Sequence, residues 1–248
     1  MSNETVVLIT GTNRGLGLGL AKLYLQQPNT RVILTARSNT TAVVDALPKS
    51  NAGVLHGIYK LDSASNVDAV ALRESLTSSE TGVSKIDIII ANAGIGEPFD
   101  SVLDAPIDAL ENFYRANTLG PVRLYQQLWK DLLEKSTNPK FILISSALGS
   151  VTYVDKSPCG GYGASKAAAN YFVRKMHMEN EKLTAVVLHP GWVKTDNGQA
   201  YADAVNVSEP PLTVEKSVDK IFEIVSAATK EGMSGNFIDI MTGSDILW

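Results

Sequence analysis

Cysteine is nearly absent: Cys159 stands alone. It can form no internal disulfide, and no Cys-x-x-Cys pair or Cys/His cluster offers a zinc site. A reducing, cytoplasmic location is expected, with Cys159 an inert loop thiol. Histidine is scarce too: His56, His177 and His189 have no carboxylate partner or metal spacing, and each is read as a packed side chain. Charged residues are 19% of the chain, below the ~25% common in soluble domains. The net charge of −4 gives no global basic field to draw nucleic acid. No run approaches the ~18 apolar residues of a membrane span. Residues 1–4 carry no basic group, and the first apolar run, 6–9, is too short for a secretory signal. The sequons at Asn3, Asn39 and Asn206 are accordingly read as chance matches.

What is present is a globular α/β pattern. At 248 residues the chain can bury roughly 70% of its extended surface without disulfide or metal support. Short apolar runs at 5–10, 31–36, 54–61, 86–91, 141–145, 184–189 and 236–240 are mostly Val, Ile and Leu without alternation. That is the pattern of strands covered on both faces. Between them lie helical patterns at 15–27, 65–78, 107–134, 162–180 and 214–229, with a weaker one at 41–47. Such alternation predicts one doubly wound, mostly parallel seven-stranded Rossmann sheet with helices on both faces, spanning 1–248 as a single domain. Residues 194–212 lack periodicity and are expected to form a substrate loop.

The first strand runs directly into Gly11-Thr12-Asn13-Arg14-Gly15-Leu16-Gly17, and a helical pattern follows. Glycine lets the backbone turn sharply and approach a ligand closely. The helix start offers free N–H groups and the positive dipole end, which suit a pyrophosphate. An acidic residue about 20 positions on would hold the ribose hydroxyls of NAD. Here the second strand ends in Ala36-Arg37 with no carboxylate. Arg14 and Arg37 together suit a 2′-phosphate, so NADP(H) is expected.

Ser146 follows the fifth apolar run, and 16 residues later comes Tyr162-Gly-Ala-Ser-Lys166. Tyr and Lys at i and i+4 share a helix face. A nearby ammonium stabilises a phenolate, lowering a pKa that is otherwise near 10. Tyr162 can then protonate a carbonyl oxygen while a serine hydroxyl holds that oxygen in place.

With these motifs in order, the sequence resembles the short-chain dehydrogenase/reductase family in its single-domain branch. The resemblance extends over nearly the whole chain. It implies cofactor contacts at the Gly11–Gly17 loop, at Asp62 (adenine), at Asn92-Ala93-Gly94, and at Pro190, Val193 and Thr195. Ser146, Tyr162 and Lys166 match the family's catalytic residues, and Lys166 also matches its ribose ligand. Asn117 matches the asparagine that helps hold a water beside the lysine. The segments 147–151 and 189–196 are similar to small cytosolic carbonyl reductases and to fungal norsolorinic-acid-type ketoreductases. A dimer or tetramer, formed through helices 107–134 and 162–180, is also implied.

Two departures from the family pattern stand out. Ala91 replaces the first of two asparagines usual before Ala-Gly. The Ser146–Tyr162 gap is long, which leaves Ser145 as an alternative serine and adds a loop, 149–161, expected to border the substrate pocket. Tyr153, Trp192, Tyr201 and Phe99 fall in loops at the expected strand ends and could form an aromatic wall for a flat substrate. The expected activity is NADPH-dependent reduction of a ketone or aldehyde. The alternatives are an NAD(P)-linked alcohol dehydrogenase working oxidatively, or a non-catalytic NADPH-sensing protein.

Overall fold

The computed structural model describes residues 4–38, 40–80 and 82–248, so the sequons at Asn3 and Asn39 lie outside the described residues. Strand β1 (Thr5–Ile9) feeds helix α1 (Gly15–Leu25), β2 (Thr30–Ala36) feeds α2 (Thr40–Ala46), and β3 (Val54–Lys60) feeds α3 (Asp68–Thr77). Then come β4 (Ile88–Ala91), α4 (Ile107–Phe113), α5 (Leu119–Leu128), β5 (Lys140–Ile144) and α6 (Gly160–Glu179). The chain ends with β6 (Thr184–His189), α7 (Asp196–Ala204), α8 (Val214–Ala227) and β7 (Phe237–Asp239). The strands form one sheet in the order β3-β2-β1-β4-β5-β6-β7, and every strand pair is parallel.

The unalternated strand sequences are explained by the layers. Val6 and Leu8 of β1 pack on one side with Leu72 of α3, Leu124 of α5 and Val173 of α6. Val7 and Ile9 pack on the other with Leu20 of α1 and Val218 and Ile221 of α8. Each such aliphatic side chain contributes about 1.5–3 kcal/mol by leaving water. The order in which strands are added reverses between β1 and β4, which opens a crevice at their C-terminal ends, where ligands of such sheets bind.

Two sequence expectations change. The single helix expected over 107–134 is interrupted by wide turns at Tyr114–Thr118 and Trp129–Leu133. At the first, Pro121 has no N–H to give the carbonyl four residues back, at Asn117, so the regular ladder cannot close there. The stretch 194–212 is not a simple loop: it contains α7. Thr195 caps that helix by accepting from Gly198 N at 3.0 Å, and Asp196 complements its dipole. Asn206, at φ 59°, closes its far end in the left-handed conformation. The base of this flap is pinned, since Lys194 N donates to Leu212 O and Leu212 N to Trp192 O.

Candidate active site

A cleft of about 740 Å³ lies along the crevice. The glycine loop forms one end of it. Gly11 adopts φ +69°, and a Cβ there would sit 2.9 Å from Ala93 Cα. A Cβ at Gly17 would overlap the Gly11 carbonyl. Asn92 fastens this loop: its Nδ2 donates to Thr10 O and Gly11 O, while Asn92 N and Ala93 N donate to Thr10 Oγ1. Ala91, the unusual residue, is buried in the core as the last residue of β4 and takes no part in that turn.

Thr195 and Thr213 cap α7 and α8 with their hydroxyls, but Arg14, at the start of α1, gives no side-chain cap. The first-turn N–H groups of α1 thus face the cleft beside Asn13, Arg14, Leu16 and Arg37, a donor set that suits a dinucleotide phosphate. Arg14 is ion-paired with Asp196 of the flap, an exposed pair. Asp62 also lines the cleft, its Oδ1 accepting from Ala64 N at 2.9 Å.

Beyond Gly94, Pro190 and Val193, the cleft reaches the serine–tyrosine–lysine group. The 3-10 turn Ala147–Gly149 and α6 approach closely because two glycines separate them. A Cβ at Gly163 would lie 2.6 Å from Leu148 O, and one at Gly149 would lie 2.8 Å from Lys166 Cβ. This contact brings Ser146 and Tyr162 to the same stretch of the cleft, which Asn197 of the flap also lines. Ser145 is turned away, its hydroxyl donating to Asn170 Oδ1 in the interior.

Lys166 Nζ donates to Ile144 O at 3.0 Å and lies 5.7 Å from the Tyr162 ring centre. Burial pulls the Lys166 ammonium down to about 8 and pushes the Tyr162 phenol up to about 12. The expected lowering of Tyr162 by Lys166 is not observed: desolvation dominates, and the Ser146 side chain opposes it only in part. Asn117 sits in the wide turn before α5. Its Oδ1 accepts from Ile95 N at 2.8 Å, and its Nδ2 donates to Ile95 O and Ser165 Oγ.

Trp192 and Tyr201 line the cleft as expected, and Phe99 joins them: Trp192–Tyr201 and Tyr201–Phe99 ring centres are each 5.3 Å apart. Phe99 reaches Tyr162 at 6.2 Å, and Phe113 supports Tyr162 at 6.4 Å. Tyr153 does not belong to the wall; it is 58% exposed. Its loop is drawn to the chain end, because Ser150 Oγ donates to Leu247 O and Thr152 Oγ1 to Trp248 O. Among the described residues, none from 149–161 lines the cleft. Within the loop, Ser157 N donates to Asp155 Oδ1 at 2.8 Å. His189 is packed, its Nδ1 accepting from Ala147 N, and burial lowers its pKa.

Sequence reasoning missed Asn197, Phe113 and Asn170. Thr195-Asp196 was a usable signal for Asn197, because a capping threonine before an acidic residue marks a helix start.

A parallel sheet in this order, with a glycine turn entering its first helix, is the fold of Rossmann-type oxidoreductases. The chain belongs to the short chain dehydrogenase family, whose model matches residues 5–206. Norsolorinic acid ketoreductase of Aspergillus parasiticus is 36% identical over 250 residues, covering 99% of this chain and 92% of that one. Carbonyl reductase Sniffer of D. melanogaster superposes with a TM-score of 0.84 at 27% identity, over 99% and 100% of the two chains. An NADPH-bound carbonyl reductase from chicken fatty liver gives a TM-score of 0.82 at 26% identity, over 99% of each chain. The chain is thus an oxidoreductase of a family that uses nicotinamide cofactors and acts on carbonyl or alcohol groups. Among the described residues, no helix is long and apolar enough to cross a membrane.

Proposed function

We propose that the protein is an NADPH-dependent reductase of ketones or aldehydes. The observation that carries this reading is that Ser146, Tyr162 and Lys166 line one end of a cleft whose other end is the uncapped start of α1. When bound, the nicotinamide cofactor supplies hydride to the carbonyl carbon. Ser146 and Tyr162 hold the carbonyl oxygen, and Tyr162 donates the proton. Lys166 binds the nicotinamide ribose, and its charge favours the phenolate that remains. Asn117, fixed to Ile95 and Ser165, orders the proton route behind Lys166. Pro190, Val193 and Thr195 hold the carboxamide, and Asp62 holds the adenine.

NADP(H) is preferred because Arg14 and Arg37 stand at the cleft with no carboxylate ending β2. The NADPH-bound state of the chicken relative supports this. The ketoreductase relative and the Phe99–Tyr201–Trp192 wall support an aromatic ketone as substrate. Self-association through the 107–134 segment and α6 belongs to the same reading; exposed Tyr114, Tyr171 and Met178 support it, and sedimentation velocity tests it.

The deciding experiment is NADPH consumption with a panel of diketones, quinones and aromatic ketones. Turnover of at least one ketone, with NADPH favoured over NADH, is expected. Tight NADPH binding without turnover of any carbonyl would instead indicate a cofactor sensor. A wild-type preference for NADH in alcohol oxidation would remove the basis of the Arg14/Arg37 argument.

A further inference from the structure

The 3-10 turn after Ser146 has three amides to satisfy. Two close within the turn: Gly149 N donates to Ser146 O at 2.9 Å and Leu148 N to Ser146 Oγ at 3.2 Å. The third, Ala147 N, leaves the turn and donates to His189 Nδ1 at 3.1 Å. With Leu148 N on its oxygen, the Ser146 hydroxyl keeps its proton for another acceptor.

His189 is the last residue of β6 and lines the cleft. The main-chain ladder from β5 to β6 stops one residue earlier, where Ser145 N donates to Leu188 O at 2.7 Å. The His189 carbonyl belongs to the other neighbour, accepting from Ile240 N beyond β7. The imidazole therefore carries the β5–β6 connection one bond past the end of the ladder. That bond falls on the peptide joining Ser146 to Ala147. A single soft dihedral, ψ of Ser146, relates this peptide to the rest of Ser146, and it stands at 147°.

A backbone N–H can only donate, so Nδ1 is the bare nitrogen of a neutral ring whose proton is on Nε2. A proton on Nδ1 would set two N–H groups against each other and break the bond. Burial disfavours that proton. Asp239, the charged group bearing on the ring from its register position on β7, favours it. Burial prevails and holds His189 below its ordinary 6.5. Tyr162 and Lys166 of α6 line the same cleft.

We infer that His189 is a positioning residue for the reduction: its neutral imidazole holds the Ser146–Ala147 peptide, and a proton on the ring lets the Ser146 hydroxyl leave the reacting oxygen. This rests on the reductase reading of the same site.

The test uses His189→Asn and His189→Leu, with acetophenone and 9,10-phenanthrenequinone, which carry no titratable group. Asparagine Oδ1 stands where Nδ1 stood and accepts the same bond, but gains no proton. Leucine keeps bulk and accepts nothing. The single-turnover rate of NADPH oxidation should fall in wild type on the acid side of the ordinary histidine range. That acid limb should be absent in His189→Asn. At neutral pH, His189→Leu should react about tenfold to a hundredfold more slowly, as a misplaced reacting group does, and His189→Asn should recover most of the rate. An acid limb of equal size in wild type and His189→Asn overturns the inference, as does a wild-type rate in His189→Leu. If the leucine variant does not fold, the two pH profiles decide alone.

The Ala147 amide, followed by 15N NMR in the enzyme–NADP+ complex, separates this inference from the reductase reading. Its signal should move with pH in wild type and stay still in His189→Asn. That result without turnover of any ketone overturns the reductase reading and sustains the hold of His189 on the turn. A signal that does not move in wild type overturns the inference, whether or not turnover is seen.

Discussion

The Ser145 hydroxyl donates to Asn170 Oδ1 at 2.6 Å, so adjacent serines at the end of β5 face opposite ways. Ser145 serves the β5–α6 packing and Ser146 serves the cleft. Ser146→Ala should lower kcat by about 10²–10³, the usual effect of removing one hydrogen-bond donor from a developing oxyanion. Its melting point should fall only slightly, through loss of the cap in which Ser146 Oγ accepts from Leu148 N at 3.2 Å. Ser145→Ala should do the reverse, costing about 1–3 kcal/mol by leaving the buried Asn170 oxygen unpaired, with activity largely kept. Steady-state kinetics and urea unfolding of the two variants check the pair.

Tyr162→Phe should bind NADPH normally and lose turnover. Cofactor fluorescence titration beside an activity assay separates the two effects, and retained activity would rule out Tyr162 as proton donor.

The buried Lys166–Tyr162 pair predicts an unusual alkaline stability profile. Lys166 titrates at about 8 in the fold against 10.5 in the unfolded chain, so across that interval the unfolded state binds more protons and stability rises with pH. Tyr162 keeps its proton to about 12 against 10.0 unfolded, so its contribution falls with pH above 10. Wild type should therefore gain stability relative to Lys166→Met between about pH 8 and 10.5. The gain should stop growing above that. Thermal melts of both proteins measure the difference. The rate of reduction should fall above about pH 8, as Lys166 loses the charge that favours the phenolate.

Arg37→Asp should weaken NADPH binding about tenfold to a hundredfold, from loss of charge-assisted hydrogen bonds, while NADH binding holds or improves. Dissociation constants for the two cofactors at fixed ionic strength check this. Equal effects on both would exclude a 2′-phosphate contact.

Tyr201→Ala should raise KM for aromatic ketones about tenfold through loss of ring contacts, whereas Tyr153→Ala should leave it unchanged. Comparing an aromatic with an aliphatic ketone on both variants distinguishes wall from surface.

The sheet, its strand ends and the glycine turn were legible because strands buried on both faces must be apolar throughout, as in Ile88–Ala91. Ser146, Tyr162 and Lys166 were legible because a short helix spacing and one strand end hold them. Tyr153 was misplaced because sequence gives no sign that Leu247 and Trp248 draw its loop aside. Asn197 was hidden because its side chain meets Gly96, from a segment far earlier in the chain, and no local pattern encodes that pairing. The break at Asn117 was visible only in Pro121, a weak cue when proline is tolerated in the first turn of a new helix.

Three consecutive residues at the start of α7 reach both lips of the cleft. Thr195 lies against Gly15, Asp196 holds Arg14, and Asn197 lies against Gly96. One door therefore serves two passengers of unequal depth. The larger passenger would lie beneath the door along the whole crevice, and the smaller only at its edge. Under the proposed reading, traffic through such an entrance is expected to be sequential: the dinucleotide enters before the ketone, and the alcohol departs before the spent dinucleotide.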